Sequence, residues 1–421
     1  MYPEEPKDQI ELVTLRIGLL GTGFVAQFHI QALLGVRNVQ VAGIYGKTTG
    51  YRDTAVKLAN DLGLGPCRGF ESIDELVAAE DLIDAVWILR PNFDRIADMQ
   101  AIVGAARRRS RPLLGVACEK PLARTLKEAR EMLRLAEGAG FNHGYLENQV
   151  FAPAVQRGKD IIWRRAVPAA GRPYLARAAE EHSGPHRPWF WEGGRQGGGV
   201  LLDMMCHSVE GARFLLTEPG KDRSSLRLKS ANGTVETLKW SRPEYVERLK
   251  HMMGSEIDYS RRPSEDYARG VVVLEDEQGR TVVIEATTSW GYVGAGLRIS
   301  MELLGPEYSL EISTLNTPLK VFLSRDVQGA EGEDLVEKQN SEQGLMPVVE
   351  DEAAAYGYTA EDRHMVEAFS AGQRPMETFA DGVQVMEMLM ALYRSAELGC
   401  TVTFPDVALE EYVPLVARSP D

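Results

Sequence analysis

Apolar and polar positions fall into repeating blocks over the first third of the chain. Leu15-Arg16-Ile17-Gly18-Leu19-Leu20 is a short apolar run of the length of a buried strand, and an apolar-periodic segment follows it to about Leu34. Val39–Tyr45, Ala85–Leu89 and Leu113–Ala117 repeat the short run, and Asn142-His143-Gly144-Tyr145 opens another. Helix-like stretches lie between. Two begin on capping boxes, Ser72-Ile73-Asp74-Glu75 and Thr125-Leu126-Lys127-Glu128, and one ends on Arg107-Arg108-Arg109, charges that suit a solvated helix C-terminus. Strands alternating with helices predict an α/β fold with a doubly wound parallel sheet, whose ligands sit beyond the strand C-termini. Later in the chain Gly270–Leu274, Thr281–Ala286, Ser300–Leu304 and Leu319–Leu323 are strand-like with turn residues between them, and the acidic, unpatterned stretch from Gln328 to Gly344 reads as a surface insertion.

Composition narrows the possibilities. A chain of 421 residues suggests two domains, and its 44% hydrophobic and 26% charged fractions are those of a globular protein. A net charge of -14 disfavours nucleic acid or an anionic membrane as partner. No apolar run reaches ~18 residues, and the start, Met1 to Pro6, has neither a basic nor an apolar leader region, so the expected location is cytoplasmic. The cysteines at 67, 118, 206 and 400 form no C-x-x-C pair, which points to reduced thiols and no metal site, even where Cys206 adjoins His207.

Candidate chemistry lies at the strand ends. Gly21-Thr22-Gly23-Phe24-Val25-Ala26 is G-x-G-x-x-A between a strand and a helix, the context of a dinucleotide fingerprint. Gly21 permits the turn, Gly23 lets the backbone approach a pyrophosphate, and Ala26 allows close helix–strand packing. The second strand ends on Gly46-Lys47-Thr48-Thr49, without the carboxylate that would select NAD. Two readings stay open: Lys47 pairs with the 2′-phosphate of NADP, or Lys47 is solvated and NAD binds through other contacts. Pro91, Asn92, Lys120 and the region after Tyr145 stand at the other strand ends. Further on, Gly197-Gly198-Gly199 opens an apolar run in which Asp203 and His207 are four apart, hence on one helix face about 6 Å apart at Cβ. A carboxylate beside an imidazole is a way to hold a general base.

With Glu119-Lys120-Pro121 at a strand end, the glycine loop before it and the Asp203/His207 run after it, the chain resembles the Gfo/Idh/MocA family of oxidoreductases. Glu147–Pro153 resembles that family's domain-crossing segment, and Asp381-Gly382 through Met386, Tyr393, Ala396 and Phe404-Pro405 resembles its C-terminal helix and final strand. The resemblance implies a Rossmann domain over residues 1–148 and a substrate-binding α/β domain over 149–421 with an open, mostly antiparallel sheet. It also implies a helix near 381–398 packing back on the first domain, assembly into a homodimer or homotetramer, and NAD or NADP as cofactor. Lys120, Asp203 and His207 become the catalytic trio: His207 the base, Asp203 its orienting carboxylate, Lys120 the stabiliser of alkoxide charge. Glu119, grouped with the cofactor-binding residues, would fix Lys120 or pack structurally, and Asn92 and Asn148 would contact the nicotinamide ribose or serve simple turn roles. Arg90, Arg95 and Glu210 depart from the commonest family pattern. His182-Ser183-Gly184-Pro185-His186-Arg187-Pro188-Trp189-Phe190-Trp191 is the most distinctive stretch, and His182, His186, Arg187 and Trp189 would suit an acidic or glycosidic carbohydrate, unless the tryptophans are core. The expected activity is hydride transfer from a secondary hydroxyl of a sugar or cyclitol. The alternative is a redox-neutral, NAD-using glycosidase, which needs a further base, with Tyr145, His182 or His186 as candidates. A catalytically idle dinucleotide-binding sensor is disfavoured, since it would have no use for the trio.

Overall fold

The computed structural model describes residues 14–261, 263–294, 296–323 and 344–418. The leader Met1–Pro6 and all but the last residue of the Gln328–Gly344 stretch lie outside the described residues. Two sheets organise the rest. The first is parallel and six-stranded, in the order β3-β2-β1-β4-β5-β6, from β1 (Leu15–Leu20), β2 (Val39–Tyr45), β3 (Arg68–Phe70), β4 (Ala85–Ile88), β5 (Gly115–Glu119) and β6 (Asn142–Leu146). Its apolar strands are buried on both faces, as a parallel sheet between helices requires. Strand β5 runs two residues later than its apolar run suggests. Gly115 pairs with Ala85, and the glycine admits the Phe369 ring, which a Cβ at that position would strike.

The second sheet has seven strands in the order β12-β11-β7-β10-β9-β8-β15, comprising β7 (Leu175–Glu181), β8 (Arg227–Glu236), β9 (Tyr267–Glu275), β10 (Thr281–Ser289), β11 (Arg298–Gly305), β12 (Tyr308–Ser313) and β15 (Val402–Thr403). Only the β7/β10 pairing is parallel. Strands β13 (Leu319–Leu323) and β14 (Gly344–Val348) form a separate hairpin. Along β7, β9, β10 and β11 buried residues alternate with more exposed ones, so one face is covered and the other open. The cover is the Val200–Leu216 helix, buried at every position and packed on β7 and β10.

The Phe379–Leu398 helix joins the two halves, packing on β8 and also on the Leu126–Gly138 helix and β6. Its start is a full capping box between Thr378 and Asp381. The boxes at Ser72 and Thr125 are half formed: each side chain accepts from the N–H three residues on, while Glu75 and Glu128 reach Glu71 N and Arg124 N instead. Arg109 is not the solvated helix end expected of it. It is half-buried and donates to the carbonyls of Val77 and Ile83.

Candidate active site

At the end of β1 the chain turns through Gly21, whose φ of +133° and contact with the Leu89 carbonyl exclude a side chain. Gly23 precedes the Phe24–Ala32 helix, and a Cβ there would meet nothing within 4 Å, so the helix N-terminus faces open space. No acidic residue stands in that helix's first turn to compete with a phosphate, and Ala26 is buried. Phe24 and Val25 lie at the same opening, and Gly46 closes against Thr22. These residues fit the pyrophosphate and adenosine half of a dinucleotide.

Lys120 ends β5 and reaches the Val200–Leu216 helix, where its Nζ donates to the Asp203 carbonyl at 3.0 Å and lies 3.5 Å from Asp203 Oδ1. Burial disfavours its charge, but the charges of Asp203 foremost, with Glu180 and Glu119, outweigh burial and raise its pKa, so it stays an ammonium. Asp203 Oδ2 accepts from Trp290 Nε1 at 3.3 Å. His207, one turn on, is buried, and its Nδ1 bonds Glu147 Oε1. Glu147, not Asp203, is therefore the carboxylate that orients the ring. Burial opposes the imidazolium, but the charges of Glu147 and then Glu180 more than offset it, and the His207 pKa stands above the ordinary histidine value. Glu180, on the covered face of β7, accepts from Gln149 Nε2 at 2.7 Å, and burial raises its pKa. Glu147 and Glu180 carried no role from the sequence. Glu147 sits in the crossing segment, and the only signal for Glu180 was a charge at an inward position of a strand too polar to recognise.

Lys120 and His207 are held from behind. Arg95 is buried and donates to four carbonyls: Arg90 at 3.0 Å, Glu119 at 2.6 Å, Lys120 at 3.1 Å, and Pro121. The N-terminus of the Val200–Leu216 helix is capped from a distance. Glu265 Oε1 accepts from Gly199 N at 2.8 Å and Leu201 N at 3.2 Å, and Tyr393 Oη accepts from Gly199 N at 3.0 Å and donates to Glu265 at 2.5 Å. A Cβ at Gly198 or Gly199 would collide with Tyr393 or Glu265, so the glycine run serves close approach. Burial pushes the Glu265 carboxyl up to about 7 against the pull of those donors.

Other expected residues are placed differently. Glu119 is buried with Oε1 3.1 Å from His29 Nε2, and His29 Nδ1 bonds Asp362, so Glu119 braces the fold behind the cleft. Asn148 is buried and donates to the Tyr356 carbonyl at 2.8 Å, and Asn92 donates to Gln196 O and Oε1 at 2.9 and 3.0 Å. Tyr145 is fully buried and cannot line an open pocket. Lys47 is not simply solvated, since its Nζ lies 2.8 Å from Asp94 Oδ1. Pro91 is part-exposed at the end of the β4 turn. His182 is buried, accepting from Gly184 N at 2.9 Å, whereas His186 and Arg187 are exposed. Trp189 stacks on Phe190 at 3.8 Å and meets Phe93 edge-on, while Trp191 is core, against Trp240 and Trp290. Glu210 belongs to a buried ionic network with Arg213 and Arg223. Glu147, Cys206 and His207 bring one ligand atom each within 4.8 Å, but His207 Nδ1 is engaged by Glu147 and burial keeps Cys206 a thiol that donates to Asp203 O.

A parallel sheet that carries a glycine loop and Lys120, joined to a second sheet covered by the helix of Asp203 and His207, defines a dinucleotide-dependent oxidoreductase architecture. The chain belongs to the Gfo/Idh/MocA oxidoreductase family: residues 15–143 match its NAD-binding Rossmann domain and residues 172–404 its C-terminal α/β domain. A 1,5-anhydro-D-fructose reductase of Ensifer adhaerens is 31% identical over 48% of this chain, a match spanning little more than half (57%) of that reductase. GenD2 from gentamicin A biosynthesis, solved in complex with NAD, superposes with a TM-score of 0.73 at 23% identity over 96% of this chain and 100% of that one. A myo-inositol dehydrogenase from Corynebacterium glutamicum ATCC 13032 gives 0.67 at 19% identity, over 94% and 100%. The two structures show the shared fold. Among the described residues no helix is long and apolar enough to cross a membrane.

Proposed function

We propose that this protein oxidises a secondary hydroxyl of a sugar or cyclitol, or reduces the corresponding ketone, with NAD held by the first domain. The observation that carries the reading is the contact of Lys120, at the C-terminal end of β5 in the first sheet, with Asp203, 83 residues on, in the helix that also bears His207 one turn later. NAD, when bound, supplies the hydride acceptor. With His207 Nδ1 directed at Glu147, its Nε2 is the basic atom that takes the hydroxyl proton. The Lys120 ammonium donates to the same oxygen and stabilises charge as it develops there. Asp203 holds Lys120 and, through Trp290, borders the cluster of Trp191, Trp240 and Trp290. A sugar or cyclitol fits because polar donors and acceptors stand beside aromatic faces. The curated relative that acts on an anhydro-sugar and the structural neighbour that is an inositol dehydrogenase support that class.

The test is incubation with NAD and a panel of sugars, cyclitols and glycosides, following reduced-nicotinamide absorbance together with aglycone release. Stoichiometric reduction is expected. Aglycone release without net reduction would replace this reading by the redox-neutral glycosidase.

A further inference from the structure

Strand β2 ends on Tyr45-Gly46-Lys47, without the acidic residue that dinucleotide folds place there to bond the ribose 2′-hydroxyl and repel a 2′-phosphate. A carboxylate nevertheless stands beside this end. It belongs to Asp94, in the turn after β4. Its Oδ1 accepts from Lys47 Nζ at 2.8 Å, and its Oδ2 from Arg90 NH2 at 2.6 Å. Arg90, which replaces the small residue expected before Pro91, is buried, bonded on its other side to Asp98, and lies 5.5 Å over the Tyr45 ring. The two cations that could read a 2′-phosphate at this strand end are thus both engaged by one carboxylate. Burial pushes Asp98 up to about 7, so near neutrality much of the countercharge on Arg90 comes from Asp94.

We infer that Asp94 is this chain's cofactor-selecting carboxylate, supplied across the sheet by the β4 turn instead of by β2, and that it makes the protein prefer NAD to NADP. The inference rests on the dinucleotide-binding role of the first domain. A 2′-phosphate could reach Lys47 only by displacing Asp94 or by standing beside it, and in either case a dianion meets a carboxylate. NAD brings no charge to the same place.

The test is measurement of dissociation constants for NADH and NADPH, by nicotinamide fluorescence, on the full chain and on Asp94→Asn, Lys47→Ala and the double variant. The wild type is expected to bind NADH more tightly by about tenfold or more. Asp94→Asn should narrow that ratio by about tenfold, through tighter NADPH binding, and adding Lys47→Ala should reverse most of the gain. Lys47→Ala alone, at a side chain 62% exposed and so safe for folding, should leave the ratio within about threefold of wild type. Preference for NADPH in the wild type, an unchanged ratio in Asp94→Asn, or a selective loss of NADPH binding in Lys47→Ala alone would overturn the inference. Failure of both dinucleotides to bind would overturn the dinucleotide-binding role itself, and this inference with it.

Discussion

A histidine that takes a proton from an alcohol must be neutral when the substrate arrives and must keep its orientation while the proton moves. The Glu147 contact meets the second need at some expense to the first, because it raises the His207 pKa. Turnover in the oxidation direction should therefore fall as pH drops through a value above the usual histidine range. Glu147→Gln removes the charge that favours the imidazolium, so the acid limb of the pH–rate profile should move to lower pH while the maximal rate drops. Asp203→Asn should move that limb less. A limb that follows Asp203 and ignores Glu147 would reverse the two roles. The sequence paired Asp203 with His207 because helical spacing is visible along a chain, whereas a contact from the end of β6, 60 residues away, is not. Lys120, Asp203, His207 and the glycine loop were legible because each stands on a motif with its own local pattern. Tyr145 and Asn148 sit next to such motifs, but their side chains turn inward, and strand-end position alone does not reveal that.

Elements hold these side chains through contacts that are mostly non-local. The Val200–Leu216 helix begins without a cap from its own sequence, and Glu265 and Tyr393 supply one. Because the folded state raises the Glu265 pKa from 4.5 to about 7, it binds more protons than the unfolded chain between those values, and stability falls as pH rises through that window. Glu265→Gln keeps an acceptor oxygen without the charge, so urea unfolding at pH 5 and pH 8 should show a flatter pH dependence than wild type. An unchanged slope would remove Glu265 from the titration. Arg95 is a positioning residue for the β5 end: Arg95→Lys cannot span four carbonyls, and it should lower kcat with little change in KM, as expected if Lys120 moves while the substrate pocket stays. A rise in KM alone would argue against that role. The parallel sheet was legible because its strands are continuous apolar runs. Strands β7 and β8 were not, since one open face leaves them rich in polar and charged residues.

At the scale of the molecule, one sheet carries the dinucleotide loop and Lys120, and the other carries the helix of Asp203 and His207 and the strand of Glu180. The Phe379–Leu398 helix packs on both halves and supplies Tyr393 to the N-terminus of the Val200–Leu216 helix, so that the two sets of groups meet in one register. Asn92 ties the β4 turn to Gln196 across the same junction. Family membership gives the fold and the NAD-binding domain. The most direct measurement is single-turnover reduction of NAD by the best substrate of the panel, in wild type, Lys120→Ala and His207→Ala, with NADH affinity measured in parallel. Each variant is expected to bind NADH within about threefold of wild type and to transfer hydride about two to four decades more slowly. A folded, NADH-binding His207→Ala protein that transfers hydride at a near-wild-type rate would contradict the assignment of this site.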